Sequence, residues 1–529
     1  MASKKQSIDC VLSIDAGTQS IRIALIDFKG NFLKICKTEI EPYFSTNPGW
    51  AEQNPEYFWK TLSATCKKVF SDLPVTKESI KGVTLTTQRN TMVNLDKNGV
   101  PLRPAIIWLD RRKAKKPEWP PFYLKAPLKA LNLYDAIVYT MMECEASWIY
   151  QNEPEIWGKT DKFLFLSGYF TYMLTGEFTD STGNQVGYVP FDYKKHQWAG
   201  DNDLKWKMFP YIDRNQLPKL VKPSEILGYI TKGASFKTGI PAGIPVFAAA
   251  ADKACEVLGS GCMSPDIACL SFGTTATIET TNEKYTEIVP FMPPYPSAIP
   301  GSYNTEVMIY RGFWMVSWFK NEFAHSEVLL AKKKNIAPEI ILDQMAGSIP
   351  PGSMGLMLQP FWSPGVKVPG PEAKGSIIGF GDVHTKAHVY RAILEGLSYA
   401  LREGADRTEK KNKVEIQKLR ISGGGSQSKT AMQLTADIFN LVAEQPHTYE
   451  TSALGAAIDA AVGLKAFSGF KEAVNSMTRI SKTYEPDREN SKIYNELFEK
   501  VYMKMYKKMK PLYEDIRSII NYPSIYKQD

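Results

Sequence analysis

Short apolar runs alternate with small polar turns along this chain, and the arrangement recurs. An apolar run over 9–15 meets Asp15-Ala16-Gly17-Thr18, and a second over 21–27 ends at Asp27 and Lys29-Gly30. That spacing predicts two strands of a hairpin joined by a hydroxyl-bearing turn. A third strand is expected at 31–40, then a helix with Trp59, Leu62 and Cys66 at helical spacing. Strands are expected at 80–86, 91–95 and 105–109. The stretch 161–174 predicts one buried helix closed by Thr175-Gly176, and 178–188 reads as a polar loop. A Gly/Pro-rich turn at 239–245 precedes an apolar run of small residues that stops at Asp252.

The first motif returns at 268–278, where two apolar runs flank Gly273-Thr274-Thr275. A third piece, at 419–428, is a strand running into Gly423-Gly424-Gly425 and then a helical pattern. Two such hairpins point to two similar halves facing each other across a cleft. Between them, 284–304 is rich in Pro and Tyr and reads as a loop. A helix over 386–405 places Ala387, Tyr390, Ile393, Leu394, Leu397 and Leu401 on one face, and 407–413 reads as its solvated end. The tail, about 491–520, carries Tyr494, Leu497, Val501, Met505, Met509 and Leu512 at helical spacing on a lysine-rich helix. It is expected to pack on the protein's own domains, with a membrane-surface contact or a subunit contact, and so a homodimer, as the alternatives.

Composition narrows the class. At 529 residues the chain exceeds a single core and fits two large domains. A net charge of +8, from 64 Lys+Arg and 56 Asp+Glu, is spread thinly and argues for neither nucleic acid nor a membrane surface. No run approaches the roughly 18 apolar residues of a membrane span. Seven cysteines without a CxxC spacing read as reduced thiols, which places the protein in the cytoplasm.

Glycine lets backbone approach a ligand closely, and exposed N–H and hydroxyl groups bind phosphate oxygens. Asp15 beside such a turn suits Mg²⁺ held through water. The flat glycine backbone at 423–425 would admit a nucleotide base or ribose. Three phosphate-friendly turns in this order are more specific than any one alone.

The chain resembles the FGGY carbohydrate kinases, within the actin-like ATPase superfold, from about Cys10 to about Pro486. The carrying segments are Pro48-Gly49-Trp50-Ala51-Glu52-Gln53-Asn54-Pro55 with Trp59, Thr86-Thr87-Gln88-Arg89-Asn90, and Ala105-Ile106-Ile107-Trp108-Leu109-Asp110-Arg111-Arg112. Gly375-Ser376-Ile377-Ile378-Gly379, His388 with Ala392-Ile393-Leu394-Glu395-Gly396, and Ser452-Ala453-Leu454-Gly455-Ala456-Ala457 add to it. The resemblance implies an α/β protein of two ribonuclease-H-like (actin-like ATPase) domains facing a central cleft. The expected divisions are 7–261 for sugar and catalytic base, 262–486 for nucleotide, and 487–529 as a helical tail.

It further implies ATP-dependent phosphorylation of a small sugar or polyol. Asp252 is the expected general base, since the reaction needs a base near the attacking oxygen, a metal on the triphosphate and positioning. Asp15 would hold Mg²⁺–ATP with Gly17 and Thr18 near the terminal phosphates. Gly273 and Thr274 would take the other side of the phosphate chain. Gly423, Gly424 and Gly425 would flank adenosine, with Ser426 or Gln427 at the base. Gln88, Arg89, Asn90, Trp108 and Asp110 offer the donors, acceptor and apolar face a polyhydroxylated chain requires. Arg111 and Arg112 are read as a surface ion pair.

Two departures bear on the substrate. Glu145-Ala146-Ser147-Trp148 lacks the lysine usual three residues before that Trp, and Lys253 follows Asp252 where the family has Asn or Gln. Lys253 either pairs with Asp252 or Glu256 or reaches the substrate, where with Arg89 it would favour an anionic sugar. The favoured substrate is a pentulose-sized ketose or polyol such as xylulose, phosphorylated on a primary hydroxyl. The alternatives are a glycerol or autoinducer-2-type kinase, or a non-catalytic sugar-binding member. Two other readings rank lower: a P-loop at 423–430, which misses its second Gly at Ser428, and a metal pair at His384 and His388.

Overall fold

The computed structural model describes residues 7–131, 133–289, 292–363 and 369–520. The chain forms two compact units. The first comprises Met1–Gly261, Asn282–Asn304 and Thr451–Thr478, and the second Cys262–Thr281, Thr305–Glu450 and Arg479–Asp529. The termini at 1–6 and 521–529, and Pro290 and Phe291 within the predicted insert, lie outside the described residues.

The first unit is built on a six-stranded sheet ordered Ile226–Tyr229, Pro245–Ala248, Ile80–Thr87, Cys10–Ala16, Ser20–Asp27, Phe32–Glu39. Cys10–Ala16 pairs antiparallel with Ser20–Asp27 and parallel with Ile80–Thr87, so Asp15 stands opposite Arg22 on one side and Thr86 on the other. The central strand is buried throughout, which is why it reads as a near-continuous apolar run. Helix Pro55–Ser71 buries Trp59, Leu62 and Cys66 in the same core.

The helix Thr451–Gly463 also belongs to this unit, although the sequence reading put it in the C-terminal domain. Its small residues are the reason. A Cβ on Gly455 would lie 1.9 Å from the Cys255 carbonyl oxygen, and one on Gly259 1.9 Å from that of Thr451. Two helix backbones therefore touch, and Ser13 Oγ donates to the Ala453 carbonyl (2.8 Å) to fix the helix on the central strand.

A second sheet in this unit is ordered Glu52–Gln53, Ala105–Ile106, Met92–Leu95, Lys162–Phe165. The last strand corrects the predicted helix over 161–174. Phe163-Leu164-Phe165 pairs antiparallel with Met92–Leu95, and only Leu166–Thr175 is helical, ending at Gly176 with φ +79°. A short unbroken apolar run does not reveal its period.

The second unit repeats the plan. Its sheet includes, side by side, Tyr303–Ile309, Ala276–Asn282, Ile267–Phe272, Lys418–Ser422, Val442–Pro446 and Ile480–Tyr484, again a hairpin with a parallel neighbour. Helix Lys386–Asn412 lays Tyr390, Ile393, Leu394, Leu397 and Leu401 into the core. The tail forms Arg488–Leu497, a π-helical turn Phe498–Tyr502, and Met503–Ile520. It buries Tyr494, Phe498, Tyr502 and Met505 in the second unit, while Leu512 is exposed. The extra residue of the π turn moves the buried face off the expected stripe. Among the described residues no helix is long and apolar enough to cross a membrane.

Candidate active site

In the first unit the site is assembled at the ends of three parallel strands. Pro245–Ala248 continues through three alanines to Asp252, the first residue of helix Asp252–Gly259. Ala251 takes the N-cap position, so Asp252 is not the cap. Its Oδ1 accepts a local bond from Lys253 N–H (2.8 Å). Burial pushes this carboxyl up to about 6, against the pull of the Arg89 and Lys253 cations, and the Asp15 carboxylate adds to the rise. An acid titrating there is ionised at neutral pH yet remains basic enough to take a proton.

Gln88 follows Ile80–Thr87, its N–H donating to the Ala16 carbonyl (2.9 Å). Its side chain is buried, and among the described residues neither amide atom has a hydrogen-bond partner. Such a group costs about 1–3 kcal/mol unless something arrives to satisfy it. Asn90 adopts φ +46°, a left-handed conformation that a non-glycine residue holds only where its surroundings enforce it. One enforcing contact is with Glu145: Asn90 Nδ2 donates to its Oε1 at 2.8 Å, while Asn90 Oδ1 is buried with no partner among the described residues. The Arg89 guanidinium stacks over Tyr295, 5.1 Å from the ring centroid, so the Tyr-rich stretch read as a loop contributes to this site.

Asp15 lies buried with its Oδ2 3.0 Å from Arg22 Nη1. Trp108 Nε1 donates to Thr18 Oγ1 (2.9 Å), which links the first turn to the expected sugar-site tryptophan. Asp110 is placed differently. It accepts from Ala51 N–H (2.6 Å), from Arg112 Nε and Nη2 (2.9 and 2.7 Å) and from Arg112 N–H (2.8 Å). The chain's own donors thus saturate it. Arg112 is not a surface residue but lies buried between Trp50 and Trp148, with Nη1 on Glu52 (2.9 Å). Lys253 Nζ meets Glu256 Oε2 at 2.8 Å, the ion-pairing role among the two expected.

The second unit brings its own set together. The carbonyls of Gly273 and Thr274 accept from Phe313 N–H (3.0 Å) and Gly312 N–H (3.0 Å). The stacked rings of Phe272 and Phe313 (4.3 Å) then pin the glycine turn. Gly423 has φ +80° against the Phe272 backbone, and a Cβ on Gly425 would lie 2.4 Å from the Phe313 ring. Gly424 faces open space. Ser426 Oγ closes the turn on the Gly423 carbonyl (2.7 Å), and Gln427 Nε2 reaches that of Gly424 (3.3 Å).

The two lower-ranked readings fail on local geometry. Ser428 caps helix Lys429–Phe439 by accepting from Ala431 N–H (2.9 Å) and donates to Asp343, so no P-loop forms. His388 Nδ1 accepts from Thr385 N–H (3.1 Å) in a capping box, and among the described residues no group of three His, Cys, Asp or Glu could hold a metal.

The model of the N-terminal domain of the FGGY family of carbohydrate kinases matches residues 10–259, and that of its C-terminal domain residues 268–464. The chain is 30% identical over 486 residues to an uncharacterized sugar kinase, YgcE, of Escherichia coli K12, covering 92% of this chain and 91% of that protein. It is 28% identical over 519 residues to a xylulose kinase of Staphylococcus epidermidis, covering 97% and 99%. Among solved structures, xylulose kinase from Rhodospirillum rubrum superposes with a TM-score of 0.79 at 23% identity, covering 96% of this chain and all of that one.

Proposed function

The chain belongs to the FGGY family of carbohydrate kinases, and from that premise we propose that it transfers the γ-phosphate of ATP to a primary hydroxyl of a pentulose-sized ketose or polyol. It is an ATP-dependent sugar kinase with the two-domain actin-like ATPase fold. Xylulose is the favoured acceptor, in keeping with the xylulose kinases among its relatives.

In this reading Asp252 removes the proton from the attacking hydroxyl. Gln88, Arg89 and Asn90 hold the sugar's other hydroxyls, with Trp108 as the apolar wall. Asp110 is engaged by Arg112 and the Ala51 N–H rather than by the sugar, and Lys253 steadies the catalytic helix through Glu256. Asp15, Gly17 and Thr18 take the terminal phosphates from the first unit. Gly273 and Thr274, with the turn from Gly423 to Gln427, hold the rest of the nucleotide.

A single carboxylate in a phosphate site fits Mg²⁺, which keeps most of its waters and takes its other ligands from the phosphates. Asp15 would hold it and Arg22 would orient that carboxylate. The ion would supply charge neutralisation on the triphosphate.

The observation that carries the proposal is a buried carboxyl raised to about 6 beyond the end of Pro245–Ala248, together with a buried Gln88 amide, unpartnered among the described residues, at the end of the neighbouring strand Ile80–Thr87. One group is a base and the other awaits a polar ligand. The test is ADP release with Mg–ATP and a panel of ketoses, polyols and aldonates. The expected result is turnover of a pentulose such as D-xylulose. Folded protein that releases no ADP above background with any of them overturns the proposal in favour of a non-catalytic binding protein.

A further inference from the structure

The backbone that carries Asp252 is held on every side. Thr86 Oγ1 (2.8 Å) and Cys255 Sγ (3.2 Å) donate to the Ala250 carbonyl, and Ser452 Oγ donates to the Asp252 carbonyl (3.1 Å). Further support comes from the segment 178–188, whose sequence has the composition of a polar loop. Ala251 N–H, at the N-cap of the catalytic helix, donates to the Gly183 carbonyl (3.1 Å). Gly183 also packs directly beneath the strand end. A Cβ there would lie 2.7 Å from Ala250 Cβ, 3.0 Å from Ala250 Cα and 3.2 Å from the Ala249 carbonyl oxygen. No positive φ demands glycine at this position. Space alone does.

The loop is itself anchored on one buried carboxylate. Asp180 Oδ1 accepts from Ser181 N–H (2.7 Å) and Asn184 Nδ2 (2.8 Å), and Oδ2 from Ser167 Oγ (2.7 Å) and Gln185 Nε2 (3.0 Å). Ser181 Oγ then caps the turn Thr182–Asn184 by accepting from Gly183 N–H (3.1 Å). Four donors from the protein itself converge on this side chain, and the turn they fix delivers the Gly183 carbonyl to the catalytic backbone.

We propose that the Asp180–Gly183 turn is a positioning device for the catalytic base, with Gly183 setting the height of the Ala250–Asp252 backbone and Asp180 holding Gly183 in place. Neither residue touches substrate. The inference rests on the reading of Asp252 as the base. A catalytic group displaced by about 1 Å loses on the order of 100-fold in rate, and a methyl pressed against Ala250 forces a shift of that order.

The experiment is a mutant cycle with ADP release measured on the panel sugar that turns over fastest. Gly183→Ala is expected to lower kcat roughly 10- to 100-fold, with KM for sugar and for ATP changed less than about twofold because the binding groups stay put. In the Asp252→Asn background, where there is no base left to misplace, Gly183→Ala should cost almost nothing further. Gly183→Ala/Ala250→Gly removes the closest clash and should recover part of the lost kcat. An unchanged kcat in Gly183→Ala, or an equal loss in the wild-type and Asp252→Asn backgrounds, overturns the proposal. Should Gly183→Ala not yield folded protein, Asp180→Asn, which turns one acceptor into a donor facing donors, is read by the same cycle with the same outcomes. If Asp252→Asn itself keeps wild-type turnover, the base reading fails instead, and the two failures are distinct.

Discussion

Glu145 offers a measurable consequence of burial. Its carboxyl sits in the first unit with one side-chain donor, Asn90 Nδ2, and burial pushes it up from 4.5 to about 8, with Glu143 and Asp110 adding to the rise. A group raised in this way stabilises the fold fully below its unfolded value and less as pH climbs toward its folded value. Below pH 4.5 the side chain is neutral in both states. Between 4.5 and 8 the unfolded chain releases a proton that the native state keeps, so unfolding gains free energy. At pH 7 the gap from 4.5 is 2.5 units, and at about 1.4 kcal/mol per unit this amounts to about 3 kcal/mol. Glu145→Gln keeps the shape and the acceptor for Asn90 but does not ionise. The variant should match wild type near pH 4.5, exceed it by about 1 kcal/mol at pH 5 and by about 3 kcal/mol at pH 7. Thermal unfolding of both proteins across pH 5–8.5, followed at the transition that includes the first unit, reads this as a midpoint difference that widens with pH. Parallel curves would refute the reasoning, because they would mean that Glu145 is ionised in the native protein.

Three further outcomes follow from the site. Asp252→Asn should lose roughly 10²–10⁴-fold in kcat while sugar binding, measured calorimetrically, survives; wild-type turnover in the variant would remove Asp252 from catalysis. If Asp252 is the base it works ionised, and with its carboxyl raised to about 6 kcat/KM for sugar should fall as pH drops through about 6; a limb placed near 4 instead would contradict the burial of this group. Lys253→Asn should leave the ratio of kcat/KM between aldonates and neutral sugars unchanged, since its ammonium is engaged by Glu256; a shifted ratio would put Lys253 on the substrate.

Much of this was legible in the chain. A strand, a Gly/Thr turn and a second strand mark each hairpin because a buried central strand must be apolar and its turn must be small. The run of alanines into Asp252 likewise announces a carboxylate delivered at a strand end. What stayed hidden depends on contacts between distant residues. Nothing near Asp110 in sequence tells that Arg112 folds back on it, because the aromatic faces that bury Arg112 come from Trp50 and Trp148. Phe163–Phe165 reads as helix until Met92–Leu95 is found beside it. Asn90's unusual backbone has its partner at Glu145, fifty-five residues on, and Tyr295 reaches Arg89 from a stretch that has only the composition of a loop.

The return of Thr451–Gly463 to the first unit bears on how the molecule is made. Its glycine-to-backbone contacts with Asp252–Gly259 and its hydrogen bond to Ser13 complete a core whose other parts are translated hundreds of residues earlier. The part of the first unit that this helix covers therefore stays open during synthesis until residues 451–463 have been made. Domains usually fold as they are translated; here the first unit is completed by the segment Thr451–Thr478, which is made only after most of the second unit.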